Sequence, residues 1–297
     1  MTVPTRAKHR RPPVALTIAG SDPSGGAGQE ADLKTFLRHG VYGMNLTTLL
    51  TVQNTLGVQS VKPLDPDYLE AQWKALFADI RPDVIKLGAL GALPMVKRVA
   101  KLLDAPEARG IPVVLDPVLG STSGSPLLAA EALKLFKSKL LPRCRVVTPN
   151  LPEFVTLFGP IPEGHNPVAA LRGLGHLPYA VFVKGGHLGA DNDAKKSSGT
   201  AGATRPAGAD KRATHAVDDG CPDWLWDKGR LFTFPGVRYP VGNIHGTGCT
   251  LAAAVAANLA LGKSLPAACR NAKDFVARGI ATAPDLGRGS GPLDFLG

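Results

Sequence analysis

At 297 residues, with 44% hydrophobic and 20% charged side chains, the chain is long enough to bury one large core, and none of its apolar runs nears the roughly 18 to 20 residues that cross a bilayer. The formal charge of +10 owes much to the opening stretch MTVPTRAKHRRPP, which reads as a solvated basic tail over 1–13 rather than a nucleic-acid patch and lacks the apolar core of a secretory signal. Four cysteines without a C-x-x-C pair point to neither a zinc site nor a disulfide framework, so a cytoplasmic protein with no membrane and no nucleic-acid partner is expected.

From Val14 onward short apolar runs alternate with amphipathic stretches. Strands are expected at 14–20, 45–53, 84–88, 112–116, 145–150 and 180–186, and helices at about 28–39, 66–79, 93–105, 129–140, 151–158, 166–175, 248–261 and 264–282. This alternation predicts an α/β fold of three layers, with a mostly parallel sheet between helices, in one domain over 14–297. The strands end on Gly20, Gln53, Gly88, Asp116, Asn150 and Lys184. In open α/β sheets that edge binds ligands, so these ends aim at one cleft. Between them and the last helices, the Gly-, Ala- and Ser-rich run at about 190–222 reads as a flexible insertion.

In chain order, the first strand is followed by GSDPSGGAGQEADLKTFLRHG, which fits neither G-x-x-x-x-G-K-[ST] nor a convincing G-x-G-x-x-G, so the P-loop and dinucleotide fingerprints both fail. Asp32 lies one helical turn before Phe36, beside the buried stripe, where a carboxylate needs a partner. Gln53 ends a strand of Leu, Thr and Val, and its amide can offer a donor and an acceptor together, although a strand-ending turn explains it as well. Asp116 closes PVVLD; Asn150 and Glu153 share TPNLPE at a strand-to-helix junction. Carboxylates with an amide near a phosphate suit Mg²⁺, with helix capping the rival explanation for Asn150. Lys184 in VKGGH could meet phosphate charge or stand on the surface.

The last motif is HGTGCTLAAAVAANLAL. Gly246, Thr247, Gly248 and Cys249 offer unpaired backbone N–H groups at the positive end of a helix, the arrangement that holds phosphate and stabilises a transferring phosphoryl group. Ala252 to Ala257 let that helix pack closely on the sheet. Thiol pKa values fall at helix N-termini, so partial thiolate character is expected at Cys249. A covalent mechanism with His245 as the partner of Cys249 is the competing idea.

Taken together, GSDPSGGAG-x-x-ADLKTF, QNT-x-GVQSV, K-x-G, LDPV, SGSPLL, TPNLPE, VKGGHL, HGTGCTLAAA and GSGP resemble the hydroxymethylpyrimidine and phosphomethylpyrimidine kinases of thiamin biosynthesis, which have the ribokinase-like fold. The resemblance implies ATP and Mg²⁺, two successive phosphorylations of an aminopyrimidine alcohol, and a homo-oligomer of two or more subunits. It implies that Gln53 binds the pyrimidine with Gly20 and Asp32 beside it and Val118 lining the pocket. It also implies that Gly246, Gly248 and Cys249 form the anion hole, with Cys249 where sugar-kinase relatives carry a catalytic aspartate, and that Asn150 and Glu153 organise Mg²⁺ and phosphates.

Three positions depart from the pattern: Ala89 where methionine is common, Gln29-Glu30 in place of Ile-Gln, and Thr122 where lysine is frequent. An alanine at 89 enlarges the pocket, so a pyridoxine or pyridoxal kinase is the alternative. A nucleotide-binding regulator without turnover is disfavoured by the presence of both Asp116 and Cys249.

Overall fold

The computed structural model describes residues 11–119, 130–162, 166–186, 220–237, 239 and 245–297. In chain order its first half runs β1 (Val14–Ser21), α1 (Gly28–Arg38), β2 (Tyr42–Asn54), β3 (Gly57–Pro63), α2 (Pro66–Phe77), β4 (Val84–Leu87), α3 (Leu93–Leu103) and β5 (Val113–Leu115). The second half runs α4 (Ala130–Leu135), β6 (Val146–Val147), α5 (Leu151–Phe158), α6 (Val168–Gly173), β7 (Ala180–Val183), β8 (Asp223–Asp227), β9 (Arg230–Phe234), α7 (Thr247–Ala260) and α8 (Leu265–Ala281). The strands form one nine-stranded sheet in the order β3-β2-β1-β4-β5-β6-β7-β8-β9. The run from β2 to β7 pairs in parallel, while β3, β8 and β9 pair antiparallel at the two edges.

The expected three layers are present. Leu16 and Ile18 of β1 pack with Trp73, Val96 and Leu115 on one face, while Ala15 joins Val255, Ala256 and Cys269 on the other. Helices on both faces explain why the strands read as continuous apolar runs rather than alternating ones. Every residue from Ala252 to Ala257 is buried, so α7 lies close against β1, β4 and β5 as its small side chains suggested.

The expected elements are found with ends shifted by a few residues. The helix expected at 129–140 divides, α4 giving way to a wider turn over 136–140 and a tight one over 141–143. Three strands were not anticipated. All residues of β3 are exposed, so it carries no burial pattern. The β8–β9 hairpin turns on Lys228 and Gly229, both with positive φ, the two-residue loop that fits the twist of a hairpin.

Two disorder expectations need correction at their edges. Arg11, within the expected tail, pairs with Asp83 at 3.0 Å, and Pro13 accepts a hydrogen bond from the Tyr42 N–H. At the end of the expected insertion, the Cys221 N–H donates to the Gly236 carbonyl and Lys273 Nζ to the Cys221 carbonyl, so residues 220–222 are anchored. Residues 1–10, most of the insertion and Thr122 lie outside the described residues.

Candidate active site

Two helix N-termini meet above the sheet's carboxyl edge. At the head of α7, Gly246 has a φ of 82°, and a Cβ there would stand 1.9 Å from the Gly26 carbonyl oxygen, so the turn before α1 and the turn before α7 touch backbone to backbone. Gly28, with a φ of 58°, is equally constrained, since a Cβ would come 2.4 Å from the Gly20 oxygen. The first intrahelical bond of α7 is donated by Thr250 to Gly246, which leaves the N–H groups of Thr247, Gly248 and Cys249 without an intrahelical partner. The backbone N–H of Gly28, at the head of α1, favours the charged form of the Cys249 thiol, so both helix ends address the sulfur.

Across from this turn stands a charged cluster. Lys184 Nζ donates to Asp116 Oδ1 at 2.9 Å and lies 3.8 Å from Glu153. A Cβ on Gly248 would be 3.1 Å from that same Nζ and 3.7 Å from Asp116 Oδ2, so the ends of β5 and β7 face the head of α7 directly. Burial works against the Lys184 charge, but Asp116 and Glu153 more than offset it and hold the ammonium above its ordinary value. Burial pushes the Glu153 carboxyl up to about 7, with Lys184 opposing and Asp116 adding to the rise.

Beneath the thiol lies a group that the strand pattern did not single out. Lys86, in the middle of β4, is fully buried and forms an ion pair with Asp32 Oδ2 at 2.8 Å, while the Thr17 hydroxyl donates to the same oxygen at 2.6 Å. Burial disfavours the Lys86 charge, but Asp32, Cys249 and Asp116 together raise its pKa. Burial likewise pushes Asp32 up, with Lys86 pulling the other way. A lysine inside the apolar run VIKLG was the available signal, since a buried ammonium demands an acid and Asp32 was already in want of a partner.

At the far end of the cleft, Gln53 and His245 meet. The side-chain nitrogen Nε2 of Gln53 is 2.6 Å from His245 Nε2, and Asp22 Oδ2 is 3.1 Å from the same imidazole nitrogen. Against the cost of burial, bonds from His245, Ser24 and Ala27 hold the Asp22 carboxyl well below the ordinary carboxylate range. Glu30 fixes the loop from below, accepting from the Ser21 hydroxyl and the Asp22 N–H. Gln29 accepts from Asn45 and Thr47, so the Gln29-Glu30 pair has partners of its own on β1 and β2.

The sequence-derived site residues are brought to one edge, with four corrections. Asp32 is wholly buried behind the cleft and does not line it. Gly20 is also buried, with Leu49 closing over it. Asn150 caps α5: its Oδ1 accepts from the Glu153 N–H and its own N–H donates to Glu153, a reciprocal box that uses the groups assigned to phosphate. The expected thiolate tendency of Cys249 is overcome by burial, which pushes its pKa up to about 11 despite Lys86 and the Gly28 N–H. Val118 and Ala89 sit half-buried just past β5 and β4. His245 turns its Nε2 toward Asp22 and Gln53, which argues against the Cys–His pair that a covalent mechanism needs.

For Mg²⁺, the donor set fits in chemistry and number. Asp116 and Glu153 flank one ammonium, and Mg²⁺ needs only one or two carboxylates besides phosphate oxygens and water. Among the described residues no cluster of three or more His, Cys, Asp or Glu exists that would hold an ion by protein ligands alone.

A family model described as phosphomethylpyrimidine kinase matches residues 22–294. Hydroxymethylpyrimidine/phosphomethylpyrimidine kinases are 38% identical in Salmonella typhimurium, over 94% of this chain and 96% of the relative, and in Streptomyces coelicolor, over 99% and 97%. Among solved structures, a Bacillus subtilis pyridoxal kinase in complex with ADP superposes with a TM-score of 0.75 at 29% identity, covering 95% of this chain and 97% of the other. A Clostridium difficile phosphomethylpyrimidine kinase does so with a TM-score of 0.68 at 32% identity, covering 89% and 97%.

Proposed function

The chain belongs to the phosphomethylpyrimidine kinase family, and from that premise we propose how its residues divide the work. The enzyme phosphorylates 4-amino-5-hydroxymethyl-2-methylpyrimidine from ATP and then phosphorylates the monophosphate to the diphosphate, in thiamin biosynthesis. The observation that carries this reading is the approach of Lys184 and Asp116 to Gly248, three residues from the His245 that touches Gln53. Phosphoryl-binding and ring-binding groups thereby face one cleft.

In this division, the free N–H groups of Thr247, Gly248 and Cys249 hold the oxygens of the transferring group, and the Lys184 ammonium balances their charge. Asp116 and Glu153 would hold Mg²⁺ with the nucleotide phosphates, and the ion would neutralise their negative charge. Gln53 takes the ring edge, with Val118 and Ala89 along the ring faces. The Cys249 thiolate, once its own proton has passed to solvent, receives the hydroxyl proton; transfer is loose, so that proton leaves late and base strength matters little. A monophosphate acceptor carries no such proton.

Residues 14–297 work in this reading as one kinase domain. Cys144, Cys249 and Cys269 are free thiols, which supports a reducing compartment such as the cytoplasm. No helix among the described residues is long and apolar enough to cross a membrane. Mass spectrometry after incubation with MgATP tests the assignment: the monophosphate should yield a diphosphate, and turnover of pyridoxal without any turnover of the monophosphate would overturn it.

Ala89 supports vitamin B6 alcohols as second substrates, together with the likeness to pyridoxal kinases. Ala89→Met should raise KM for pyridoxal about 10-fold or more and leave the pyrimidine nearly unaffected, since a few heavy atoms in an apolar pocket are worth about 1–3 kcal/mol. Equal changes for both substrates would remove Ala89 from the specificity determinants. Leu50, Val52, Val58 and Val61 expose apolar surface on the edge hairpin, which supports a homo-oligomer. Light scattering should give at least a dimer, and Val52→Lys with Val61→Lys should return the monomer.

A further inference from the structure

Asp22, His245 and Gln53 form a chain whose hydrogen-bond directions can be solved. His245 Nε2 stands between Asp22 Oδ2 at 3.1 Å and the Gln53 side-chain nitrogen Nε2 at 2.6 Å, a nitrogen-to-nitrogen approach. Amide oxygen and nitrogen have nearly the same shape, so the network decides which of them faces the imidazole. Asp22 is buried and already accepts from the Ser24 N–H, the Ser24 hydroxyl and the Ala27 N–H. An ionised carboxylate can only accept, so Nε2 must carry a hydrogen. One ring nitrogen cannot offer that hydrogen to Asp22 and a lone pair to Gln53. The Gln53 amide must therefore be turned over from its placed orientation, with the carbonyl oxygen beside the imidazole and the NH₂ facing the cleft.

We propose that Asp22 and His245 are positioning residues that lock the Gln53 carboxamide with its NH₂ toward the substrate, so that the enzyme selects rings presenting a hydrogen-bond acceptor nitrogen at that edge. The inference rests on Gln53 meeting the pyrimidine ring, as read above. It departs from the simplest view of that residue, in which the amide turns freely to suit donors and acceptors alike. A 4-amino pyrimidine has an unprotonated ring nitrogen beside its amino group and is accepted. Its 4-oxo counterpart carries N–H at that nitrogen, meets the NH₂ donor to donor, and is rejected.

The test compares kcat/KM of the first phosphorylation for 4-amino-5-hydroxymethyl-2-methylpyrimidine and its 4-oxo counterpart. Wild type should favour the amino compound by about 30-fold or more, the size expected when a polar group is left unpaired. Gln53→Glu, which can only accept, should reverse the preference. His245→Ala should free the amide and bring the ratio to within about threefold of unity, whatever it does to kcat for both compounds. In Asp22→Asn the new NH₂ can donate to Nε2, which turns imidazole and amide over and favours the oxo compound, at the expense of the Ala27 bond. If that variant does not fold, His245→Ala carries the test alone, because a general loss of structure lowers both rates without moving their ratio. A wild-type ratio retained in His245→Ala but lost in Gln53→Glu would overturn the lock and leave Gln53 as the ring contact. A ratio retained in both would remove Gln53 from the ring, and the lock with it.

Discussion

Cys249→Ser should slow transfer to the hydroxymethyl group by about 100-fold or more, the usual worth of a general base, and slow transfer to the monophosphate by less than about 10-fold. The two steps share the N–H groups at the head of α7, which a serine leaves in place. They differ in whether the acceptor must lose a proton. With its pKa pushed up to about 11 by burial, the Cys249 side chain is a thiol at neutral pH. The first step should accordingly rise with pH between 7 and 10 at a slope near one in log rate, while the second stays flat once its phosphate is fully ionised. Single-turnover rates for both acceptors, followed across that range, separate the roles. Equal losses in the two steps would mean that the sulfur serves the phosphoryl group rather than the acceptor.

Lys86→Met should cost about 3–5 kcal/mol of stability in urea unfolding, because it strands a buried carboxylate. Both partners of the pair are fully buried, and Asp32 Oδ1 has no hydrogen-bond partner among the described residues. Once the ammonium is gone, Asp32 keeps only the Thr17 hydroxyl. Adding Asp32→Asn to Lys86→Met removes the orphaned charge and should restore stability to within about 1–2 kcal/mol of the starting protein. If the double variant is as unstable as the single one, the loss comes from packing around β4 and not from charge.

The parallel core of the sheet was legible because strands covered on both faces leave unbroken apolar runs, and because polar residues interrupt those runs at the cleft. The antiparallel edges were not. β3 buries nothing, and the β8–β9 hairpin follows directly on a long run without apolar period, although its Lys228-Gly229 turn was a usable sign. Within the site, Lys184, Asp116 and the α7 turn could be placed from their positions at element ends. The Lys86–Asp32 pair left only a partial sign, a lysine within an apolar strand run, since it joins mid-strand to mid-helix through the interior and sequence spacing does not show which buried charges meet. Asn150 was ambiguous for a plain reason: the amide that suits a metal-phosphate site also suits a helix cap, and only the reciprocal bonds with Glu153 decide between them.

The contact of Gly246 with Gly26 joins segments some 220 positions apart in the chain. The two turns therefore meet only through a long-range contact, which costs the chain the entropy of closing a loop that takes in most of its length. Any truncation before residue 246 removes one side of that meeting point and leaves the turn before α1 without its backbone neighbour.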